Sequence, residues 1–360
     1  MRWRSERWLR MPVMLGIWLT VLSGCRGREL PPFVPTPLPP EVKVYMPCYE
    51  VNLPYCSAES AEISWLVDEN TVLTIHGRVR TRKRSGQQWD RVEVWLGERL
   101  IVRQPRGRDP IGRPLAEPYH TGAAELFWLH IPRQVWAGRR GRQVLRLRVW
   151  NGTLVTEVPL EVRVDPVELE RRAVDYIREY FVPEPDPTYW HWAAMRLSSA
   201  HIYFINRFDP AYQWLADTML ALLERWTGVL RFTVVAEPPG LPWIRWVELP
   251  AAGAGEAVML AVDPRYGPGY RIMTKCEIRF ERSGLVETPA SPHSSIKAIG
   301  HELMHCLGNA YRGCDGFGHT RDNSLISMCG DVGADYLILH PRTQRALQLV
   351  YTYPPGHSWR

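Results

Sequence analysis

His301-Glu302-Leu303-Met304-His305 is an H-E-x-x-H pentamer, and the rest of the chain is read outward from it. Four residues make about one helical turn, so the two imidazoles project from one side and can share a metal ion. The glutamate lies about 100° round the helix, in reach of a metal-held water without occupying the metal. That donor pattern belongs to zinc hydrolases. Pro292 and Ser294 or Ser295 are placed to open the helix, and Gly308 to close it in the left-handed conformation. Ile296, Ile299, Leu303 and Leu307 fall within an arc of about 80°, nearly opposite His301 and His305. One face is thus expected in a core while the other presents ligands.

Zinc needs a third protein ligand. No glutamate follows Glu302, which removes a glutamate on a later helix as the third ligand. The short continuation H-E-x-x-H-x-x-G-x-x-H would place a histidine at 311, where Tyr311 stands. Downstream donors are His319, His340, His357, Asp315 and Asp322, with Tyr311 itself a further option.

The run His301 to Gly308, followed by Phe317-Gly318-His319-Thr320-Arg321-Asp322-Asn323-Ser324-Leu325-Ile326-Ser327-Met328, resembles the metzincin metallopeptidases, matrixin-like members in particular. The resemblance implies an α+β zinc-protease domain over 188–360, with one catalytic zinc and a peptide or protein substrate. It also implies His319 as third ligand beside His301 and His305, Glu302 as general base, and Met328 in a turn beneath the metal. Arg342 to Tyr351 is similar to the family's closing helix, and Thr218 to Thr233 to its first helix and strand. The chain departs from the family in eight extra residues between Gly308 and His319, among them Cys314, which can pair with Cys306 or Cys329 to brace them. Cys329-Gly330 stands after Met328 where some members carry a tyrosine, and no cysteine-switch propeptide is evident.

Upstream of the metal helix the chain alternates period. His201 to Ile205 reads as a buried strand, Ala211 to Trp226 as a helix stopped at Thr227-Gly228, and Val229–Val235, Trp243–Leu249, Ala257–Val262 and Tyr270–Phe280 as strands. Together these predict a mixed sheet with helices on one side. Before them, Val167 to Val182 reads as a helix ended by Pro183, and Pro183-Glu184-Pro185-Asp186-Pro187 as a linker, so 166–187 is expected to join two domains. From 41 to 165 the pattern is strands, with Asn151-Gly152 as a hairpin turn. Short strands with turns between them predict an all-β sandwich, immunoglobulin-like in pattern.

At the N-terminus, four arginines precede an apolar run of 12 residues, Met11 to Leu22, far short of the roughly 20 a spanning helix needs. Residues 1–24 read as a signal peptide. Leu22-Ser23-Gly24-Cys25 resembles the lipobox of bacterial lipoproteins, which implies cleavage before Cys25 and its lipidation. The Pro-rich stretch within 25–40 reads as an extended tether. This address places the protein outside the cytoplasm, lipid-anchored to a bacterial membrane. Pairing of the other cysteines is then expected. Cys48 and Cys56 form the first pair, and Cys276, Cys306, Cys314 and Cys329 permit three arrangements.

The formal charge of +6 falls to about +3 without residues 1–24, so no nucleic-acid partner is assigned. The expected function is that of a zinc-dependent endopeptidase. The alternatives are a surface-binding lipoprotein with an inactive or structural zinc site, and a zinc amidase acting on cell-wall material.

Overall fold

The computed structural model describes residues 39–45, 65–80, 89–115, 125–183, 192–249, 255–282, 292–313, 316–320, 325 and 337–360. The expectations for residues 1–38, Cys25, Cys48, Cys56, Cys314, Asp315, Asp322, Met328 and Cys329 lie outside these residues. Among the described residues no helix is long and apolar enough to cross a membrane. Residues 37–360 form one compact unit, built largely from β-sheet around two hydrophobic cores.

The first core lies between two sheets. Its strands are β1 (Glu41–Tyr45), β2 (Trp65–Val67), β3 (Leu73–Arg80), β4 (Arg91–Leu96), β5 (Arg99–Pro105), β6 (Leu126–Ile131), β7 (Gly141–Asn151) and β8 (Leu154–Val164). Strands β1-β3-β6 make one sheet and β2-β8-β7-β4-β5 the other. The two-residue period of β7 and β8 sends Leu145, Leu147, Val149, Leu160 and Val162 inward to meet Ile75, Phe127 and Leu129 of the first sheet. The opposite faces carry charged pairs: Glu93 takes Arg91 of its own strand and Arg103 of the next, and Glu157 takes Arg148 across β7 and β8.

Helix α1 (Pro166–Tyr180) starts where the two-residue period stops. Asp165 accepts a hydrogen bond from the Glu168 backbone N–H, and Pro166 fills the first helical position. The sequence suggested a joining segment here, but Ala173, Tyr176, Ile177 and Tyr180 pack into the second core.

That core is capped by a sheet of β9 (Arg196–Leu197), β10 (His201–Arg207), β11 (Arg231–Val235), β12 (Trp243–Glu248), β13 (Glu256–Val262) and β14 (Ile272–Phe280), in the order β11-β10-β12-β14-β13 with β9 beside β14. All neighbours run parallel except the edge pair β13–β14. Register sorts the two faces. Phe204, Ile244 and Cys276 align, as do Trp246 and Ile278, and all five are buried. The opposite face carries Tyr203, Trp243 and Lys275 in one row and Arg245 bonded to Glu277 in the next. Helices α2 (Gln213–Thr227), α3 (Pro292–Cys306) and α4 (Pro341–Thr352) join α1 in the core on the apolar face. The expected mixed sheet with helices on one side is therefore present, its element ends shifted by a few residues.

Polar bonds join the two halves. Gln344 of α4 donates to the carbonyls of Val72 (2.9 Å) and Leu339 (2.8 Å), while its own oxygen accepts from the Val72 N–H at 3.2 Å. Trp226 of α2 donates to the Thr74 hydroxyl at 2.8 Å. Replacing Gln344 by Ala would leave both polar groups of buried Val72 without those partners. Gln344→Ala should cost roughly 2–4 kcal/mol of unfolding free energy, read as a lower urea midpoint at unchanged slope.

Candidate metal centre

Helix α3 is held on three sides before it presents a ligand. Ile296, Ile299, Leu303 and Leu307 are buried in the second core, as their spacing requires. Its last residue, Cys306, is bonded to Cys276 of β14, with Cα atoms 5.8 Å apart. This pairing removes Cys306–Cys314 and Cys306–Cys329 from the arrangements open in the sequence. At Gly308 the chain turns with φ 114°, and a Cβ there would lie 2.0 Å from the Met195 carbonyl oxygen. Only glycine fits both the angle and the space.

Beyond the turn the chain makes its excursion and returns. The backbone N–H groups of Ala310 and Tyr311 both donate to the carbonyl of Tyr180, the last residue of α1. Two short strands follow, β15 (Arg312–Gly313) and β16 (Phe317–His319), which pair with each other. Gly318, at φ 85°, lies with its backbone on that of Asn309 and Ala310; a Cβ there would meet the Asn309 oxygen at 2.8 Å. His319 follows directly.

The three imidazoles converge. His301 Nε2 lies 3.0 Å from His319 Nε2 and 3.3 Å from His305 Nε2, and the latter two are 3.1 Å apart. Donors around a tetrahedral zinc with bonds of ~2.0–2.1 Å stand about 3.3 Å from one another. The Nδ1 atoms face carbonyl oxygens, His301 toward Leu325 at 3.3 Å and His305 toward Asn309 at 2.6 Å. A carbonyl only accepts, so these Nδ1 atoms carry the protons and the Nε2 lone pairs point at the common centre. Burial, then the neighbouring His305 and His319, pushes the His301 pKa down to about 3, which keeps the ring in its neutral, metal-binding form. By spacing, and for His301 and His305 also by tautomer, the three rings fit one divalent ion, and no other group of three His, Cys, Asp or Glu donors converges this way among the described residues.

Glu302 is 8% exposed and lines a cavity of about 330 Å³ that His301, His305 and His319 share. Burial, with Glu256 adding repulsion, raises its carboxyl to about 8. A cation held by the three rings would oppose that rise by favouring the carboxylate. Strand β13 forms one wall through Glu256, Ala257 and Met259, and exposed Phe317 stands at the rim.

The other sequence candidates have different places. Tyr311 packs against the second core, buried His340 precedes α4 as its N-cap, and His357 stacks on Tyr353 at 4.3 Å. Leu325 supplies the carbonyl that orients His301. Sequence reading missed Asn309 and Tyr176. Neither lies in a ligand motif, and only the glycine before Asn309 hinted at a special turn.

No family model matches the sequence, and no curated protein matches it. Among solved structures, similarity is found to an endo-β-1,4-mannanase from Thermotoga petrophila, at 7% identity over 28% of this chain and 18% of that one, with TM-score 0.20. A β-glucuronidase from Bacteroides uniformis matches at 10% identity over 35% of this chain and 11% of its own, with TM-score 0.20. An engineered protein matches at 14% identity, over 35% of this chain and 20% of that one, with TM-score 0.19. The chain thus spans a fifth or less of each.

The Cys276–Cys306 bond closes a 30-residue separation in sequence. Replacing both cysteines by Ala should lower unfolding free energy by about 3 kcal/mol. The denaturant midpoint of the native protein should fall correspondingly, by that energy divided by the slope, when reductant is added.

Proposed function

We propose that the chain is a zinc-dependent endopeptidase, with His301, His305 and His319 holding the metal and Glu302 acting as general base. The observation that carries this reading is the mutual approach of the three Nε2 atoms, 3.0 to 3.3 Å apart, beside a buried carboxyl that is not one of them. A purely structural site has no use for a glutamate there. When bound, zinc supplies Lewis acidity, which polarises a carbonyl and lowers the pKa of water to about 7.

The chain's own residues do the rest. The fixed Nδ1–H bonds of His301 and His305 keep their donor atoms aimed. Glu302 takes the proton of the attacking water on a carboxylate oxygen, then delivers it to the leaving amine nitrogen. Met195, Ala257, Met259 and Met273 line the cavity beside that transfer.

A peptide fits this site better than a cell-wall amide because of β13. Its inner edge pairs with β14, and among the described residues no strand pairs with its outer edge. An extended peptide laid along that edge would complete its backbone bonds by strand addition, with the scissile carbonyl brought over the cavity. Under this reading the sheet and helices of the second core are a metzincin-like domain, and the β-rich half is an immunoglobulin-like module. The Cys276–Cys306 bond supports an oxidising compartment, in keeping with export and lipid anchoring at Cys25.

Incubating the protein with a mixed peptide library, with and without chelator, tests the reading: chelator-sensitive cleavage is expected. Glu302→Ala should retain one zinc and lose roughly 10²–10⁴-fold in rate. His319→Ala should lose the zinc, and stoichiometric metal in that variant would overturn the ligand assignment. Peptide binding without turnover by the zinc-loaded protein would sink the hydrolase.

A further inference from the structure

We infer that Asn309 is the positioning residue of the metal centre, fixing His305 through its backbone oxygen and His319 through the Gly318 carbonyl, and that Tyr176 of α1 in turn fixes Asn309. The inference rests on the three-histidine metal reading and extends it to what sets the geometry of the three rings.

Asn309 is fully buried. Its backbone oxygen accepts from His305 Nδ1 at 2.6 Å, and its backbone N–H donates to the Met304 carbonyl at 3.1 Å. Its side-chain Nδ2 donates to the Gly318 carbonyl at 2.6 Å, and its Oδ1 accepts from the Tyr176 hydroxyl at 2.7 Å. The amide orientation is forced by chemistry. The Gly318 oxygen can only accept, so the amide must turn its NH₂ that way and its oxygen toward Tyr176.

One residue therefore touches two of the three ligands by different routes. The route to His305 aims a ring that already sits on a rigid helix. The route to His319 matters more, because that ring arrives on a loop that leaves at Gly308 and comes back at Gly318. The amide bond to Gly318 pins the peptide immediately before His319, where the backbones are already close enough to exclude a Cβ. An apolar residue at 309 would leave the buried Gly318 carbonyl without this partner and the return point of the loop unfixed.

Tyr176 carries the constraint outward. Its ring is buried against Tyr180 at 4.4 Å, with the Arg342 guanidinium over it at 4.8 Å. Tyr180 supplies the carbonyl that accepts from Ala310 and Tyr311. The metal loop is thus braced from α1, the helix that leaves the β-rich half, and not only from α3.

The test uses the full chain stripped of metal and titrated with Co(II), whose visible d–d band reports ligand geometry, with chelator competition for zinc affinity. Asn309→Ala should weaken metal binding by roughly 10- to 100-fold and alter the Co(II) band. Asn309→Asp still accepts from Tyr176 but cannot donate to Gly318, so it isolates the His319 arm and should also shift the band. Tyr176→Phe should weaken binding in the same direction by less. Thermal unfolding of the metal-free forms separates a general loss of stability, which would leave the band of the loaded protein unchanged. If wild-type protein binds Co(II) while Asn309→Ala and Asn309→Asp bind it equally tightly with the same band, this inference falls and the metal reading stands. If wild-type protein takes up no Co(II), both fall.

Discussion

Three imidazole Nε2 atoms stand within 3.3 Å of one another, and the two whose tautomers are fixed, His301 and His305, aim lone pairs at the common centre, where they repel unless a cation lies among them. The fold holds them in that arrangement against the repulsion, and most of the C-terminal half can be understood as the means. Helix α3 is anchored by four aliphatic side chains on one face and by a covalent bond to β14 at its end. Burial keeps His301 neutral and so keeps its lone pair available. The carbonyls of Leu325 and Asn309 choose the tautomers of His301 and His305. No one of these contacts would hold the arrangement alone.

The parts of this site that sequence makes legible are those written in local periodicity. Two histidines four apart, a glutamate between them and an aliphatic stripe opposite define α3 and its ligand face without further information, and the buried stripe bears that out. The strand and helix pattern upstream is readable for the same reason, since alternation and 3.6-residue spacing are short-range signals. His319 is different. Its approach depends on the ten residues between Gly308 and itself, and spacing cannot say where such a stretch returns. Resemblance to a family supplied the candidate, and the meeting of Gly318 with the backbone of Asn309 supplies the physical reason.

The pairing of Cys306 was closed to sequence because it depends on β14 lying beneath α3, a contact between elements far apart in the chain. The packing of helix α1 was closed to sequence for a related reason. A proline-rich stretch at 183–187 marks a boundary only if the helix before it has no partner, and periodicity shows an apolar face without showing what it meets. Ala173, Tyr176, Ile177 and Tyr180 meet the second core. Asn309 was invisible because no ligand motif includes it; its importance arises only from what surrounds it.

The packing of α1 has one consequence for how the halves of the protein relate. Helix α1 grows directly from β8 through Asp165, and its far end touches the metal loop through Tyr176 and Tyr180. Helix α4, which packs against α1, reaches back to the first half through Gln344 and Val72. The β-rich half is therefore continuous, by backbone and by buried hydrogen bonds, with the elements that aim the ligands. A module joined only by a flexible linker could bind or space without influencing the centre, whereas one that shares α1 with it cannot be displaced without straining the loop that carries His319. The fold thus makes the β-rich half part of the scaffold of the candidate site, whatever else that half engages on its outer face.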